Sequence, residues 1–145
     1  MIVRAVTPAD YPRWAQMRGA LWPDEDQAEH QRELPSLFEL DPPYTVFVAD
    51  DGERLVGFIE LWVRSFAEGG PPGPAAYVEG LWVEPGYRRA GVATALVRKA
   101  EEWARSQGSN WLGSDAVIDN DQSHRWHRAA GFAEVERLVV FGKPL

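Results

Sequence analysis

The sequence predicts an α+β fold, a single domain over residues 1–145 built around a mixed, mostly antiparallel sheet. Three observations lead to this class. The predicted element order is β-α-α-β-β-β-α-β-α-β-β, which alternates too irregularly for a parallel sheet. A turn signal, Asp50-Asp51-Gly52, joins two segments rich in β-branched and aromatic residues. A strand inside Tyr77–Ala104 leads, through one short loop, into an amphipathic helix.

The first part of the chain predicts one strand and two helices. The strand covers residues 2–6. The first helix begins after Thr7, with Thr7 as N-cap and a proline at the first helical position, and runs to about Gly19. A second helix is predicted within residues 24–40. Pro35 lies inside that segment, so it either interrupts the helix or starts a helical piece.

Two strands of an antiparallel hairpin follow. They are predicted over Thr45–Ala49 and Leu55–Val63, on either side of the Asp50-Asp51-Gly52 turn. The segment Phe66–Pro74 is rich in Gly and Pro and has no periodicity. We interpret it as a mobile loop beside the functional site.

The stretch after Tyr77 predicts a binding loop for a diphosphate. A strand ends at Glu84-Pro85-Gly86, and beyond Gly91 the apolar residues fall on one helical face. The loop therefore opens onto a helix N-terminus, whose free N–H groups and positive dipole end attract phosphate. Arg88 and Arg89 add positive charge, and Gly91 allows close approach to the main chain. The alternative is an ordinary strand-to-helix turn with surface arginines.

The last third of the chain predicts three more strands and one helix. A strand is expected at Trp111–Ala116 and a short helix at Asn120–Ala130. Ala133–Glu136 and Leu138–Phe141 are expected to form a final strand pair or one bent strand. Their apolar edge offers a surface on which a second copy could complete the sheet, so we expect a homodimer.

Composition excludes several classes of function. The net charge of −7 argues against nucleic acid and anionic membrane as partners and favours a cationic one. The absence of cysteine excludes disulfides and thiolate chemistry. The three histidines form no recognisable metal motif, and we expect no metal. The N-terminus lacks the pattern of a signal peptide, so a cytoplasmic location is expected.

The order of these motifs resembles a known family. Arg88-x-x-Gly91-x-Ala93 after a strand is similar to the acetyl-coenzyme A signature of the GNAT superfamily of N-acetyltransferases. A narrower resemblance, to aminoglycoside 6'-N-acetyltransferases of the chromosomal type, rests on several short matches. These are Leu21-Trp22-Pro23, Val78-Glu79-Gly80, Arg88 to Ala93, Ser114-Asp115, Asn120 with Ser123-His124, and Gly131-Phe132 followed by Glu134 to Arg137.

The resemblance implies a GNAT fold with splayed central strands and a direct transfer. Acetyl-CoA would be the cosubstrate, and the 6'-amine of an aminoglycoside would attack it in a ternary complex, giving antibiotic resistance. Asn120 would touch the pantetheine arm. The main chain of the splayed strand would polarise the acetyl carbonyl, and the basic loop would hold the pyrophosphate. By the resemblance, the carbonyl would be polarised by the main chain of Leu81, Trp82 and Val83. The pyrophosphate would be held by Arg88, Arg89, Ala90, Gly91, Val92 and Ala93.

Three carboxylates are candidates for the amine side of the reaction. Glu79 lies in an otherwise apolar strand, where an unpaired carboxylate must face water, a partner charge or a substrate. Asp115 ends a predicted strand next to the proposed site. We expect Glu79 and Asp115 to bind the cationic substrate and accept its proton, directly or through water. Glu136 is a further substrate-binding candidate, and a solvated carboxylate is an equally good interpretation of it.

Two aromatic residues complete the expected substrate site. By the resemblance, Trp22 forms a wall against the sugar, although a core position would explain it as well. Phe66 stands where the subfamily more often has Tyr, so one substrate hydrogen bond is missing. His127 aligns with a tyrosine that protonates the leaving thiolate in many family members, and a structural role is equally compatible.

Two other functions remain open from the sequence. One is the same chemistry on a different amine, such as a polyamine or a peptide N-terminus. The other is a non-catalytic module that binds acyl-CoA as a sensor.

Overall fold

The computed structural model describes residues 1–145 and contains five strands and four α-helices around one sheet. The strands are β1 (Ile2–Ala5), β2 (Thr45–Asp50), β3 (Leu55–Arg64), β4 (Ala75–Val83) and β5 (Leu112–Gly113). The helices are α1 (Tyr11–Leu21), α2 (Gln27–Leu37), α3 (Val92–Ser106) and α4 (Asp121–Ala129). None of the helices combines the length and the apolar character needed to cross a lipid bilayer.

The sheet has the spatial order β1-β2-β3-β4-β5. Its first four strands pair antiparallel, and β5 pairs parallel to β4. The predicted α+β class and the mixed, mostly antiparallel sheet are therefore confirmed.

Alternation along the strands builds a core on each face of the sheet. On one face, Phe47 and Ala49 of β2 pack with α3. On the other, Val46 and Val48 pack with α1 and α2. Successive side chains of a strand point to opposite faces, so one buried strand serves both cores.

A β-bulge interrupts the pairing of β3 with β4. Glu60 pairs with Gly80 and Leu61 pairs with Val78, so Glu79 is the extra residue between them. A bulge leaves its extra residue outside the ladder and turns its side chain in a new direction. The glutamate flagged in the sequence is thus the bulged residue.

The contact between β4 and β5 is short. Only Ala76 with Leu112 and Tyr77 with Gly113 are paired. From Val78 onward, β4 has no strand on that side, so the central strands splay apart as the resemblance implied.

Two predictions for the C-terminal third are wrong. The strand expected at Trp111–Ala116 contains only Leu112–Gly113, because its pairing with β4 ends at Tyr77 with Gly113. The strands expected at Ala133–Glu136 and Leu138–Phe141 do not form in this chain. A strand exists only when a neighbour accepts its hydrogen bonds, and no backbone hydrogen bond from or to residues 133–145 occurs outside the regular elements.

The observed boundaries of α1 and α2 differ in detail from the predicted ones. The first turn after Thr7 is a 3-10 turn with a Thr7–Asp10 capping box, and α1 then continues to Leu21, beyond the expected Gly19. Pro35 lies inside the last turn of α2. Pro35 therefore neither interrupts the helix nor starts a helical piece, so both predictions for it are wrong. Its missing N–H leaves the Gln31 carbonyl without its usual donor close to the end of the helix.

Candidate functional site

The loop before α3 is shaped like an anion-binding nest. Arg89 and Gly91 both have positive φ, 64° and 82°. Gly91 occupies the N-cap of α3, and no side chain caps that helix. The residues from Arg88 to Gly91 are exposed. Free N–H groups at an uncapped helix N-terminus, with successive bends that turn amides inward, favour a bound phosphate.

The main chain of β4 faces this loop along an open edge. Glu84 N–H donates to Val56 O at 2.8 Å, so alternation points the N–H groups of Leu81 and Val83 away from β3. Arg88 Nε donates to Val83 O at 3.0 Å, which fixes the loop on that side of the strand. The splay therefore leaves main-chain donors of Leu81 and Val83 free, next to the nest.

Glu79 is held by an arginine that the sequence analysis did not single out. Arg64 Nε donates to Glu79 Oε1 at 2.8 Å and Arg64 Nη2 donates to Oε2 at 2.6 Å. The side chain of Glu79 is 11% exposed. A two-point pair of this kind fixes both the position and the plane of the carboxylate.

Tyr77 connects this pair to Asp115. The Arg64 guanidinium lies over the Tyr77 ring, with Cζ 3.6 Å from its centroid. The Tyr77 hydroxyl donates to Asp115 Oδ2 at 2.7 Å. Burial, followed by the hydrogen bond to Asp115, raises the pKa of Tyr77, so the phenol stays protonated and remains a donor.

The structure thus brings together the two carboxylates that the sequence analysis selected. A continuous row across β3, β4 and the segment just after β5 is formed by Glu79, Arg64, Tyr77 and Asp115. Arg64 and Tyr77 were missed because each looks ordinary within its own strand. The only available signal was the requirement that a carboxylate in an apolar strand have a partner.

Trp22 lies directly over β4 at Gly80. A Cβ on Gly80 would come within 2.7 Å of Trp22 Cη2, so only glycine admits the indole at this position. The Trp22 ring stacks against His30 at 6.2 Å between ring centroids, and Arg18 Cζ lies 5.1 Å from the Trp22 centroid. Trp22 is half-buried, so it packs over β4 and keeps part of its side chain exposed.

A buried ion pair, formed by Arg18 and Glu60, lies against Trp22. Glu60 is fully buried, accepts from Trp14 Nε1 at 3.0 Å and lies 3.2 Å from Arg18 Nη1. Burial raises the pKa of Glu60 to about 7, against the opposing effect of Arg18. Arg18 Nη2 also donates to Glu33 Oε2 at 3.3 Å. Neither residue stands out in the sequence, since each one resembles an ordinary surface charge.

His127 has the contacts of a structural histidine. Its Nδ1 donates to Ser123 O at 2.7 Å, and its Nε2 lies 2.7 Å from Ser114 Oγ. Burial lowers the pKa of His127 and favours the neutral ring. In that form Nε2 accepts from Ser114, and both ring nitrogens are occupied. Asn120 caps α4 by accepting from Ser123 N–H at 3.1 Å.

The remaining candidates are exposed. Phe66 is 60% exposed in the loop after β3. Glu136 is exposed within the segment after α4 that has no regular structure. The structure does not bring either of them into the row that contains Glu79 and Asp115.

Fold and site together define an acyltransferase class, and the comparisons with known proteins agree. The model of the acetyltransferase (GNAT) family matches residues 11–132, so the chain belongs to the GNAT family of acetyltransferases. A relative from Klebsiella aerogenes, aminoglycoside N(6')-acetyltransferase type 1, is 43% identical over 148 residues, covering 99% of this chain and 97% of the relative.

Solved structures show the same similarity. The aminoglycoside antibiotic 6'-N-acetyltransferase of Acinetobacter haemolyticus superposes with a TM-score of 0.93 at 32% identity, covering 100% of this chain and 99% of that one. AAC(6')-Iy, solved with the bisubstrate analog CoA-S-monomethyl-acetylneamine, superposes with a TM-score of 0.92 at 26% identity, covering 99% and 98%.

Proposed function

We propose that this protein is an aminoglycoside 6'-N-acetyltransferase: it transfers the acetyl group of acetyl-CoA to the 6'-amine of an aminoglycoside antibiotic by direct attack in a ternary complex. The observation that carries the proposal is the row linking Glu79 to Asp115 through Arg64 and Tyr77, beside the open edge of β4. The named activities of the relatives support the same substrate class. We further propose that residues 1–145 make up a single acetyltransferase domain.

The chain's residues fit acetyl-CoA at three points. The nest from Arg88 to Ala93 would hold the pyrophosphate, since its amides and two arginines offer only donors and positive charge. The backbone from Leu81 to Val83 would bind the acetyl end through N–H groups that no strand occupies. Acetyl-CoA supplies an acyl group activated as a thioester. Asn120 already caps α4, and its amide nitrogen is available for the pantetheine arm.

On the amine side, we propose that Glu79 and Asp115 bind the cationic substrate and remove its proton. An ammonium ion cannot attack a carbonyl, so one proton must leave first. Glu79 is oriented by Arg64 and keeps lone pairs on both oxygens. Asp115 is exposed, and Tyr77 occupies only one of its oxygens, so the other can accept a proton directly or through water. This route needs no metal.

Aromatic residues would complete the substrate pocket. Trp22 lies over β4 at Gly80 and would line the pocket, and the exposed Phe66 would add an apolar contact from the loop after β3. Glu136 would add a third carboxylate, at a place set by where the C-terminal segment docks. A net charge of −7 favours a polycationic ligand.

We propose that the protein forms a homodimer through its C-terminal segment. Val139, Val140 and Phe141 are 76%, 83% and 90% exposed, and an apolar run of this kind is usually covered by a partner. We place the enzyme in the cytoplasm, where acetyl-CoA is available, and assign it no nucleic-acid or membrane partner. Light scattering should give twice the chain mass for the wild type and a monomer for Val140→Glu.

A matched pair of antibiotics tests the activity. Neomycin and paromomycin differ in having an amine or a hydroxyl at the 6' position. With acetyl-CoA and a thiol-release assay, we expect turnover with neomycin and none with paromomycin. Equal turnover of both would place the acetyl group elsewhere, and no turnover with any 6'-amino sugar would reject the aminoglycoside assignment. The Glu79→Gln/Asp115→Asn double variant should bind CoA normally and lose turnover.

A further inference from the structure

One buried histidine has no hydrogen-bond partner. The buried side-chain nitrogen and oxygen atoms that lack a partner belong to three residues only, Arg18, His30 and Glu60. Arg18 and Glu60 form an ion pair with each other. The carboxylate facing His30 Nε2, that of Glu25, lies at 3.6 Å, beyond hydrogen-bond distance. His30 is fully buried, and neither of its ring nitrogens forms a hydrogen bond. Leaving a buried polar group unpaired is costly, so a ring in this state calls for a ligand.

Two carboxylates lie beside this ring. His30 and Glu33 are three residues apart on α2, which places them on the same helical face. Glu25 comes from the turn just before the helix, and its Oε2 lies 3.6 Å from His30 Nε2. One ligand atom from each of the three residues lies within 4.8 Å of the others. In a tetrahedral zinc site, bonds of 2.0–2.2 Å separate neighbouring ligand atoms by about 3.4 Å.

We propose that Glu25, His30 and Glu33 form a binding site for a divalent transition metal of the Zn²⁺ type. An imidazole with two carboxylates suits Zn²⁺ or Co²⁺ better than Mg²⁺ or Ca²⁺, which prefer oxygen ligands alone. The side chains of Glu25 and Glu33 are 54% and 48% exposed, so water can enter and complete the coordination shell. The sequence does not reveal this site, because only one of the three histidines takes part and Glu25 lies outside the helix that carries the other two ligands.

The charges around the site set its strength. Arg18 Nη2 is 3.3 Å from Glu33 Oε2 and competes with a metal for that carboxylate. We therefore expect weaker binding than in a site without a neighbouring cation. The other oxygen of Glu33 remains free to coordinate, because a carboxylate has two.

A metal here would act on the wall of the substrate pocket. It would tie Glu25, three residues after Trp22, to α2, and it would fix the ring of His30 against which Trp22 stacks. The role is structural, and it does not depend on acetyl transfer.

Calorimetry with Zn²⁺ alone tests the proposal. Tag-free protein, freed of metal with a chelator and dialysed, is titrated with zinc chloride in the absence of acetyl-CoA and aminoglycoside. We expect one Zn²⁺ per chain and a rise in Tm of several degrees at saturation. Glu25→Gln should weaken binding roughly 10-fold or more. Glu29→Gln is the matched control, since Glu29 is exposed like Glu25 and lies on α2, outside the site.

A second experiment tests His30 as a metal ligand. Co²⁺ should give a visible absorption band typical of four-coordinate cobalt in the wild type, and His30→Gln should abolish it. Glu25 is exposed, so Glu25→Gln decides the question even if His30→Gln fails to fold. The proposal is overturned by absence of binding, by equal losses in Glu25→Gln and Glu29→Gln, or by several weak equivalents that neither variant changes. None of these results depends on which amine the enzyme acetylates.

Discussion

Arg64 and Glu79 meet through two parallel hydrogen bonds of 2.8 Å and 2.6 Å across β3 and β4. Glu79 can reach Arg64 because it is the bulged residue of β4. The carboxylate of Glu79 is therefore oriented by a cation of the same sheet, and that cation also packs on Tyr77.

Replacing Arg64 with alanine should damage both stability and activity. The free energy of unfolding should fall by about 1–2 kcal/mol, because a half-buried, two-point ion pair is lost. kcat/KM with a 6'-amino sugar should fall roughly 10- to 100-fold, because Glu79 loses its orientation. Urea unfolding and the thiol-release assay measure the two effects.

Arg32→Ala is the control for that variant. Arg32 faces Glu29 at 3.7 Å, and both side chains are more than two-thirds exposed, at 68% and 69%. Such a surface pair contributes little, so neither measurement should change appreciably. If Arg64→Ala also left kcat/KM unchanged, Glu79 would have no role that depends on its orientation.

Replacing Tyr77 with phenylalanine should affect Asp115 and leave the fold intact. The change removes the hydroxyl that donates to Asp115 at 2.7 Å and keeps the ring that packs against Arg64. We expect kcat/KM to fall roughly 10-fold, the usual effect of losing one hydrogen bond to a charged group. Tyr11→Phe is the control, because the Tyr11 ring packs on Trp14 and Phe38 while its hydroxyl forms no hydrogen bond. Equal losses in both variants would point to general damage.

Glu60 should make stability depend on pH near neutrality. Its pKa is raised from 4.5 to about 7 in the folded state, so the folded protein binds the extra proton between these values. The stabilisation is therefore present at low pH and is lost as pH rises through about 7. Relative to Glu60→Gln, the wild type should lose stability between about pH 5 and pH 8, by at most about 1.4 kcal/mol per pH unit.

Comparison with Glu60→Gln separates this effect from His127. The pKa of His127 is lowered, so its contribution is lost as pH falls and opposes that of Glu60. That contribution is common to both proteins and cancels in the difference. Denaturant unfolding at several pH values gives the difference, and a flat one would mean that Glu60 stays ionised in the folded protein.

Gly91→Ala should weaken CoA binding more than it weakens the fold. At a φ of +82° a Cβ is strained by roughly 1–2 kcal/mol, although it meets no atom within 4 Å. The strain falls on the nest that should hold the pyrophosphate. Gly131→Ala imposes the same strain, at a φ of +94° and again with no atom within 4 Å, at the end of α4. Calorimetry with CoA should separate the two, and equal affinities would remove the nest from the binding site.

Gly80→Ala should act on the amine side alone. The added Cβ would lie 2.7 Å from Trp22 Cη2, so the indole must move. We expect KM for the aminoglycoside to rise roughly 10-fold while the Kd for CoA stays unchanged. Gly86→Ala has open space around its Cβ and serves as the control. A change in CoA affinity without a change in KM would show that Trp22 does not line the amine pocket.

Most of the fold was predictable, because its signals are local. The Asp50-Asp51-Gly52 turn, the apolar face of α3 and the start of that helix after Gly91 each follow from residue type and spacing. The errors lie in segments whose secondary structure depends on a partner strand. The segments Ala133–Glu136 and Leu138–Phe141 have strand-like composition but no strand to pair with in this chain, and composition cannot supply a partner.

The candidate site divides in the same way, into features local in sequence, which were predictable, and contacts between strands, which were not. The nest was predictable because all its parts are consecutive in sequence. Glu79 and Asp115 could be selected as carboxylates in unusual positions. Their partners Arg64 and Tyr77 could not, because the contacts depend on the register of β3 with β4 and on the bulge within it.

The bulge affects which substitutions the central strand β4 can accept. The extra residue lies outside the ladder, so the residue type at position 79 can vary while Val78 and Gly80 keep their pairing with β3. Most positions in a central strand must satisfy the packing of two cores. Position 79 is constrained instead by its ion pair with Arg64, so a library randomised jointly at positions 64 and 79 should yield many folded proteins, and those without a carboxylate at position 79 should lose turnover.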